Sequence, residues 1–400
     1  MCTASKLFDI TKITCNNCIT IQKLKNMIKR LLQKNIEKNL FKGNIIIVYG
    51  ARQVGKTTLV RQIMEESGKK SKYLNCEILS IKDQLKEIEP EKLKFFLGDA
   101  ELIVLDEAQS IENIGLVLKV LVDTYPDLQI IATGSSSFDL ANKINEPLTG
   151  RAFEFELYPL SVEELKEDKD LFDVESKIEK LLTMGSYPEV FSLNKEDAER
   201  KIDQISSNYL FKDVLNYEGL KKSSVLVNLL KMLALQIGNE VSYNELSKNL
   251  GINSRTVEKY IDLLEKCFIV FRLTAFSKNL RKEISKSFKI YFYDLGIRNS
   301  LIKNHNSLDI RNDVGALWEN FCIIERIKKN SYHNVYANYY FWRTYTQKEI
   351  DFIEEREGRL FCYEIKWNKV LKKIPYEFLK EYKDSSFEVI NRDNYYKFLF

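Results

Sequence analysis

Four hundred residues are too many for one hydrophobic core, so the chain must divide into several domains. Hydrophobic residues at 44% and aromatics at 12% exclude a disordered chain, and a net charge of only +4 excludes a binder held to nucleic acid by bulk charge. No apolar run approaches the roughly 20 residues of a membrane span, and the first twenty residues lack the apolar stretch of a signal peptide. A soluble, cytoplasmic protein is therefore expected. The seven cysteines are scattered and mostly sit in apolar runs such as Lys266-Cys267-Phe268, which suits a reducing compartment. Cys15 and Cys18 form one C-x-x-C pair, but no second pair or nearby histidine follows to close a zinc site.

Residues 1–40 read as a tail and a basic helix. Ile21, Leu24, Ile28, Leu31 and Leu32 share one side, while Lys23, Lys25, Lys29, Arg30, Lys34 and Lys38 form a solvated face. Over 41–160, β-branched runs at 45–48, 102–105, 129–132 and 153–157 alternate with helix-length segments, which predicts a parallel sheet covered on both faces. Residues 161–232 read as a helical lid. Residues 233–287 hold three helical segments and a strand at 268–273. Residues 288–400 hold a strand at 288–292, a helix at 315–329 and strands near 335–342, 348–354 and 359–366.

The segment Gly50-Ala51-Arg52-Gln53-Val54-Gly55-Lys56-Thr57 fits G-x-x-x-x-G-K-[ST] between a strand and a helix. Such a loop turns backbone N–H groups onto phosphates at a helix N-terminus. Gly50, Gln53, Val54, Gly55, Lys56, Thr57 and Thr58 are thus the expected ATP-binding set. Lys56 would meet the β- and γ-phosphates, and the Thr57 hydroxyl would ligate Mg²⁺. The buried run Leu102–Leu105 then delivers Asp106 and Glu107 beside that loop. Asp106 would hold Mg²⁺ through water and Glu107 would polarise an attacking water, chemistry that favours hydrolysis over transfer to a bound acceptor. A chance match and a simple helix cap are the alternative readings of these two motifs. Thr133 and Ser135 follow another buried strand, where a γ-phosphate sensor would stand. Arg151 has two readings. It stabilises transition-state charge, in its own site or in a neighbouring copy within a homo-oligomer, or it pairs on the surface with Glu154 or Glu156.

Further on, Val241–Ile252 reads as a helix ending at a glycine turn, and a second helix starts from Ser254 as N-cap. With Cys267–Leu273 as a wing strand this is a winged helix-turn-helix, with Ser254, Arg255, Lys259 and Tyr260 on its recognition helix. Residues 272–289 carry Arg272, Lys278, Arg281, Lys282, Lys286 and Lys289 against one acid, Glu283. That cluster suits DNA phosphates, although winged helices also contact proteins. In the last unit Glu319 lies on a helix, Asp351 on one strand, and Glu364 and Lys366 together on the next. A hairpin turning at Arg356–Glu357 would set Asp351 opposite Cys362, on the same face as Glu364 and Lys366. The plainer reading is a solvated strand face. His305 and His333 build no catalytic or metal centre.

Several of these motifs carry a family resemblance. Gly50–Thr57 as G-x-R-Q-x-G-K-T, Leu105–Gln109 as L-D-E-x-Q, Gly150-Arg151, Pro159–Leu165 as P-L-S-x-x-E-L, and Gly185–Glu189 resemble a family of prokaryotic AAA-superfamily ATPases. Ser186 departs from the family's Gly-Gly-Tyr-Pro-Glu. The resemblance implies an α/β P-loop core with a helical lid, a winged helix and a PD-(D/E)xK nuclease-like C-terminal domain. In such nucleases two acids bind Mg²⁺ and a lysine orients the water. Here those positions fall on Asp351, Glu364 and Lys366, with Glu319 completing the set. Ile350 stands where the tight form has proline.

Overall fold

Two sheets organise the chain in the computed structural model, which describes residues 28–86, 88–135, 148–166, 171–209, 223–276, 287–344, 348–368 and 375–400. The expected helix over 21–27 and the Cys15–Cys18 pair lie outside the described residues.

The first sheet contains β1 (Ile45–Tyr49), β2 (Ser71–Asn75), β3 (Leu102–Asp106), β4 (Gln129–Gly134) and β5 (Ala152–Glu156), all parallel, in the order β2-β3-β4-β1-β5. Every residue of β1, β3 and β4 is buried, as continuous apolar strands covered on both faces require. The sequence reading omits β2. It buries only Leu74, because it is an edge strand of mixed polarity with no apolar period to betray it. Helices α1 (Leu31–Glu37), α2 (Lys56–Glu66) and α3 (Ile114–Thr124) belong to this part of the chain, followed by α4 (Leu171–Met184) and α5 (Lys195–Tyr209).

The second sheet has seven strands in the order β12-β11-β10-β9-β7-β8-β6. They are β6 (Glu240–Val241), β7 (Val270–Ala275), β8 (Phe288–Phe292), β9 (Asn338–Arg343), β10 (Glu349–Arg356), β11 (Arg359–Ile365) and β12 (Ser385–Ile390). Because β8 pairs with both β6 and β7, the sheet runs across the division expected at 287/288. Between β6 and β7 lie α6 (Tyr243–Leu250) and α7 (Ser254–Lys266), separated by Gly251 at φ 64°. The cap of α7 is Asn253 rather than Ser254: its side chain accepts the Arg255 N–H. Helices α4 and α5 pack on α8 (Leu295–Leu301), every residue of which is buried, and α9 (Val314–Tyr332) follows. Among the described residues no helix is long and apolar enough to cross a membrane.

The β10–β11 hairpin turns on Glu357 and Gly358, both at positive φ, with Arg356 facing Arg359. That two-residue turn sets the register. Ile353, not Asp351, faces Cys362. The slip from the expected pairing is two residues, so Asp351 keeps its face.

One buried cation joins the parts. Arg30, 8% exposed, sits in the interior rather than on the solvated face expected for it. Its guanidinium donates to the Val54 carbonyl (2.6 Å), the Tyr158 carbonyl (2.6 Å), Glu164 (2.9 Å) and the Tyr332 hydroxyl (3.4 Å). Glu164 also closes a capping box with Ser161. Beside it, Glu325 accepts the Val162 N–H at 2.7 Å, and Asp294 accepts the Ser186 N–H at 2.7 Å. A Cβ at Gly185 would lie 2.1 Å from the Asp294 carboxylate, so no side chain fits there. Removing Arg30 leaves Glu164 as an uncompensated buried charge, so Arg30→Met should cost about 3–5 kcal/mol, read as a lower urea midpoint. Breaking the exposed His333–Glu163 pair by Glu163→Gln should cost under about 1 kcal/mol.

Candidate functional site

In a parallel sheet the carboxyl ends of neighbouring strands emerge together, and here those of β1, β3 and β4 bring the loop after Tyr49, Asp106 and Thr133 to one rim. Gly50 must be glycine, since a Cβ there would lie 2.2 Å from the Leu157 carbonyl oxygen. Gln53 and Gly55 also take positive φ (62° and 102°), which curls the loop over the start of α2. Lys56 is buried, its ammonium donating to the carbonyls of Gly50 (2.7 Å) and Ala51 (2.9 Å). Thr57 and Thr58 follow in the first turn of α2, whose N–H groups lack intrahelical partners.

Asp106 is the hub of the rim. Its carboxylate accepts from the hydroxyls of Thr57 (2.7 Å), Tyr73 (2.5 Å) and Thr133. The adjacent Glu107 is held at φ 55°, a conformation non-glycine residues rarely adopt, while its N–H donates to Thr133 Oγ1 at 3.1 Å. Gln109 Nε2 then donates to Glu107 Oε2 (2.5 Å) and to Ser135 Oγ (3.1 Å). The sequence reading gives Tyr73 and Gln109 no role. Tyr73 sits on the overlooked β2; Gln109 has a signal only in its place two residues after Glu107. The hydroxyl of Thr57 and the carboxylate of Asp106 are hard oxygen donors side by side below an anion-binding loop, which fits a magnesium-bound nucleotide.

Arg151 is not part of this rim. Ile45 and Ala152 are register partners at the amino ends of β1 and β5, whereas the P-loop leaves the carboxyl end of β1. A strand length of roughly 16 Å therefore separates Arg151 from its own phosphate site. It pairs with Asp123 at 2.7 Å, neither with Glu154 nor with Glu156. A role in its own site is excluded by that placement.

The second sheet gathers Glu319, Asp351, Glu364 and Lys366, and adds two residues the sequence reading did not place there. Lys366 Nζ lies 3.0 Å from Asp351 and 3.6 Å from Glu364. Lys289, 3% exposed on β8, lies 3.3 Å from Glu319 and 4.0 Å from Asp351 Oδ1. Tyr291 donates to Glu319 at 2.6 Å, and the Ile365 N–H donates to Asp351 Oδ2 at 2.8 Å. Burial pushes the Glu319 carboxyl up to about 7 against the pull of Lys289, and the Asp351 charge adds to the rise. Asp351 Oδ1 is buried without a hydrogen bond, yet two ammonium groups already supply the positive charge around it. Among the described residues no group of three or more His, Cys, Asp or Glu is arranged to hold a metal ion. The expected Asp351–Glu364 metal pair does not fit this arrangement, because Lys289 and Lys366 stand where the cation would.

The basic stretch changes character too. Lys289 is buried in that cluster, and Arg272 is matched by Asp262 (2.9 Å) and Glu265 (2.7 Å), so neither is a free phosphate contact. Lys278, Arg281, Lys282 and Lys286 lie outside the described residues.

Residues 42–166 match the AAA domain family. The chain carries an AAA-type P-loop ATPase domain. Downstream of the AAA domain, residues 175–308 match a domain of unknown function (DUF8612), and residues 314–396 match another (DUF4143). An uncharacterized protein of Mycobacterium tuberculosis is 29% identical over 335 residues, covering 83% of this chain and 72% of its own. One of Methanocaldococcus jannaschii is 26% identical over 389 residues, covering 90% and 84%. A Walker-type ATPase of Pyrococcus abyssi is similar in structure at 17% identity and a TM-score of 0.48, over 70% of this chain and 97% of that one.

The carboxyl-terminal cluster makes a pH prediction independent of the AAA domain. Glu319 rises from its ordinary 4.5 to about 7 on folding, so between those values the folded state holds a proton that the unfolded chain has released. Its contribution is fully present below 4.5 and is lost as pH climbs through about 7. Wild type should therefore lose more stability between pH 5 and pH 8 than Glu319→Gln, measured as the shift in urea midpoint. Equal slopes in the two proteins would refute the assignment.

Proposed function

We propose that this chain is an ATP-hydrolysing AAA-type protein, dependent on Mg²⁺, that works in association with DNA. The observation that carries the hydrolytic reading is the Thr57–Asp106 pair at 2.7 Å with Glu107 fixed one residue beyond it. Glu107, tethered through Gln109 to Ser135, is placed to orient a water, and Ser135 to register the γ-phosphate. Lys56→Ala should then abolish both nucleotide binding and turnover. Glu107→Gln should keep ATP bound while turnover falls on the order of 10²-fold or more. Wild-type turnover in Glu107→Gln would remove Glu107 from the mechanism.

Support for DNA comes from α7, read as the recognition helix of a winged helix. Arg255 and Lys259, four residues apart, are exposed on the side away from its buried Val257 and Ile261. If both meet phosphates, replacing them with alanine should flatten the dependence of log affinity on log salt by about 2. No DNA binding at low salt would favour the rival reading, in which this module contacts a protein.

The carboxyl-terminal domain is proposed to be nuclease-like in fold but inert, a nucleotide-driven interaction module. Lys289 is the observation behind that choice: its ammonium lies between Glu319 and Asp351. Plasmid nicking with Mg²⁺ or Mn²⁺ should be indistinguishable for wild type and Asp351→Asn. Nicking by wild type that disappears in Asp351→Asn would restore an active nuclease.

A further inference from the structure

A cleft of about 590 Å³ lies between the edge strand β5 and the carboxyl end of α9. Tyr49, Glu154 and Glu156 line one wall, and Asn330, Ser331 and Asn334 line the other. Glu154 and Glu156 stand two apart on β5 and share a face, roughly 6.6 Å apart along the strand. Burial raises both carboxyls, Glu156 adds to the rise at Glu154, and no cation opposes it at either. Tyr49, the register partner of Glu156, is 3% exposed, and its hydroxyl is buried without a hydrogen-bond partner. The charge of both carboxylates reaches that hydroxyl. Two acids without a counter-ion and an unpartnered buried phenol around one cleft are an incomplete set: what is missing is a donor-rich cation.

We propose that this cleft binds a small linear diamine or polyamine. One ammonium meets Glu154 and a second meets Glu156, while an N–H of the ligand is accepted by the Tyr49 oxygen. Ammonium groups on an extended chain of four methylenes are roughly 6 Å apart, close to the carboxylate spacing. A single divalent ion needs its oxygen ligands within about 2.6 Å, which side chains so spaced do not readily supply. The volume is that of a small-molecule site rather than of one inserted side-chain head. Diffuse attraction is not the source, because the chain as a whole carries +4. The cleft also shares backbone with the phosphate loop. Leu157 N donates to Tyr49 O at 2.8 Å, and Gly50 packs directly on the Leu157 carbonyl. Any effect of diamine on nucleotide affinity must then be reciprocal.

The test is calorimetric titration of the full chain, free of nucleotide, with putrescine, spermidine and, as a monovalent control, propylamine. Saturable binding of putrescine or spermidine is expected, at least tenfold tighter than propylamine. It should weaken at least tenfold in the double variant Glu154→Gln, Glu156→Gln and measurably in Tyr49→Phe, with circular dichroism unchanged. Because nucleotide is absent, failure here leaves the ATPase reading untouched, and failure of Lys56→Ala to lose ATP leaves the cleft untouched. No amine binding, or binding unchanged in the double variant, overturns the proposal. So does Mg²⁺ binding lost in the double variant without amine binding, which would make the pair a divalent site. Self-association abolished by the double variant without amine binding would make the occupant a cationic side chain of a second copy, and overturns it equally.

Discussion

The Arg30 guanidinium is the interaction on which the arrangement of the whole chain depends. It reaches the phosphate loop at Val54, the chain beyond β5 at Tyr158, the capping box at Glu164 and the last turn of α9 at Tyr332. A buried guanidinium is tolerated only when its donors are met, and carbonyl acceptors drawn from two segments far apart in sequence meet them here. Any movement of the phosphate loop that displaces the Val54 carbonyl is thereby felt at Tyr332, and through α9 at the second sheet. Glu325 and Lys328 on the same helix reinforce the link, holding the Val162 N–H and the Leu160 carbonyl.

The two polar centres solve the problem of buried negative charge in opposite ways. At the rim of the first sheet, Asp106 is surrounded by hydroxyls, neutral donors that a metal and its waters can replace at modest cost. In the second sheet, Glu319, Asp351 and Glu364 are surrounded by ammonium groups. Displacing a buried lysine from a carboxylate strands a charge, which costs far more than turning a hydroxyl. The first centre is built to exchange ligands and the second to keep its own.

Local strain is concentrated at the first centre. Gln53, Gly55 and Glu107 all lie at positive φ within or beside the phosphate loop. Such conformations persist only where the surroundings enforce them, here the Leu157 carbonyl against Gly50 and the Thr133 hydroxyl on the Glu107 N–H.

The sequence by itself determined the nucleotide site, because its chemistry is written in contiguous residues. Gly50–Thr57 is one loop, and Asp106-Glu107 ends one apolar strand, so local pattern and function coincide. It also determined that Asp351, Glu364 and Lys366 share a face, since a two-residue error in register preserves the alternation of a strand. Tertiary structure alone decided everything that depends on which distant segment supplies a partner. Arg30 reads as one more solvated basic residue until Glu164 and Tyr332 are brought to it. Lys289 reads as part of a phosphate-binding stretch until β8 pairs into the second sheet and carries it to Glu319. Arg151 reads as catalytic until the parallel direction of β5 puts it a strand length from the rim. A charged side chain announces its charge in the sequence, but whether that charge is solvated, paired or catalytic is fixed by the counter-charge the fold sets beside it.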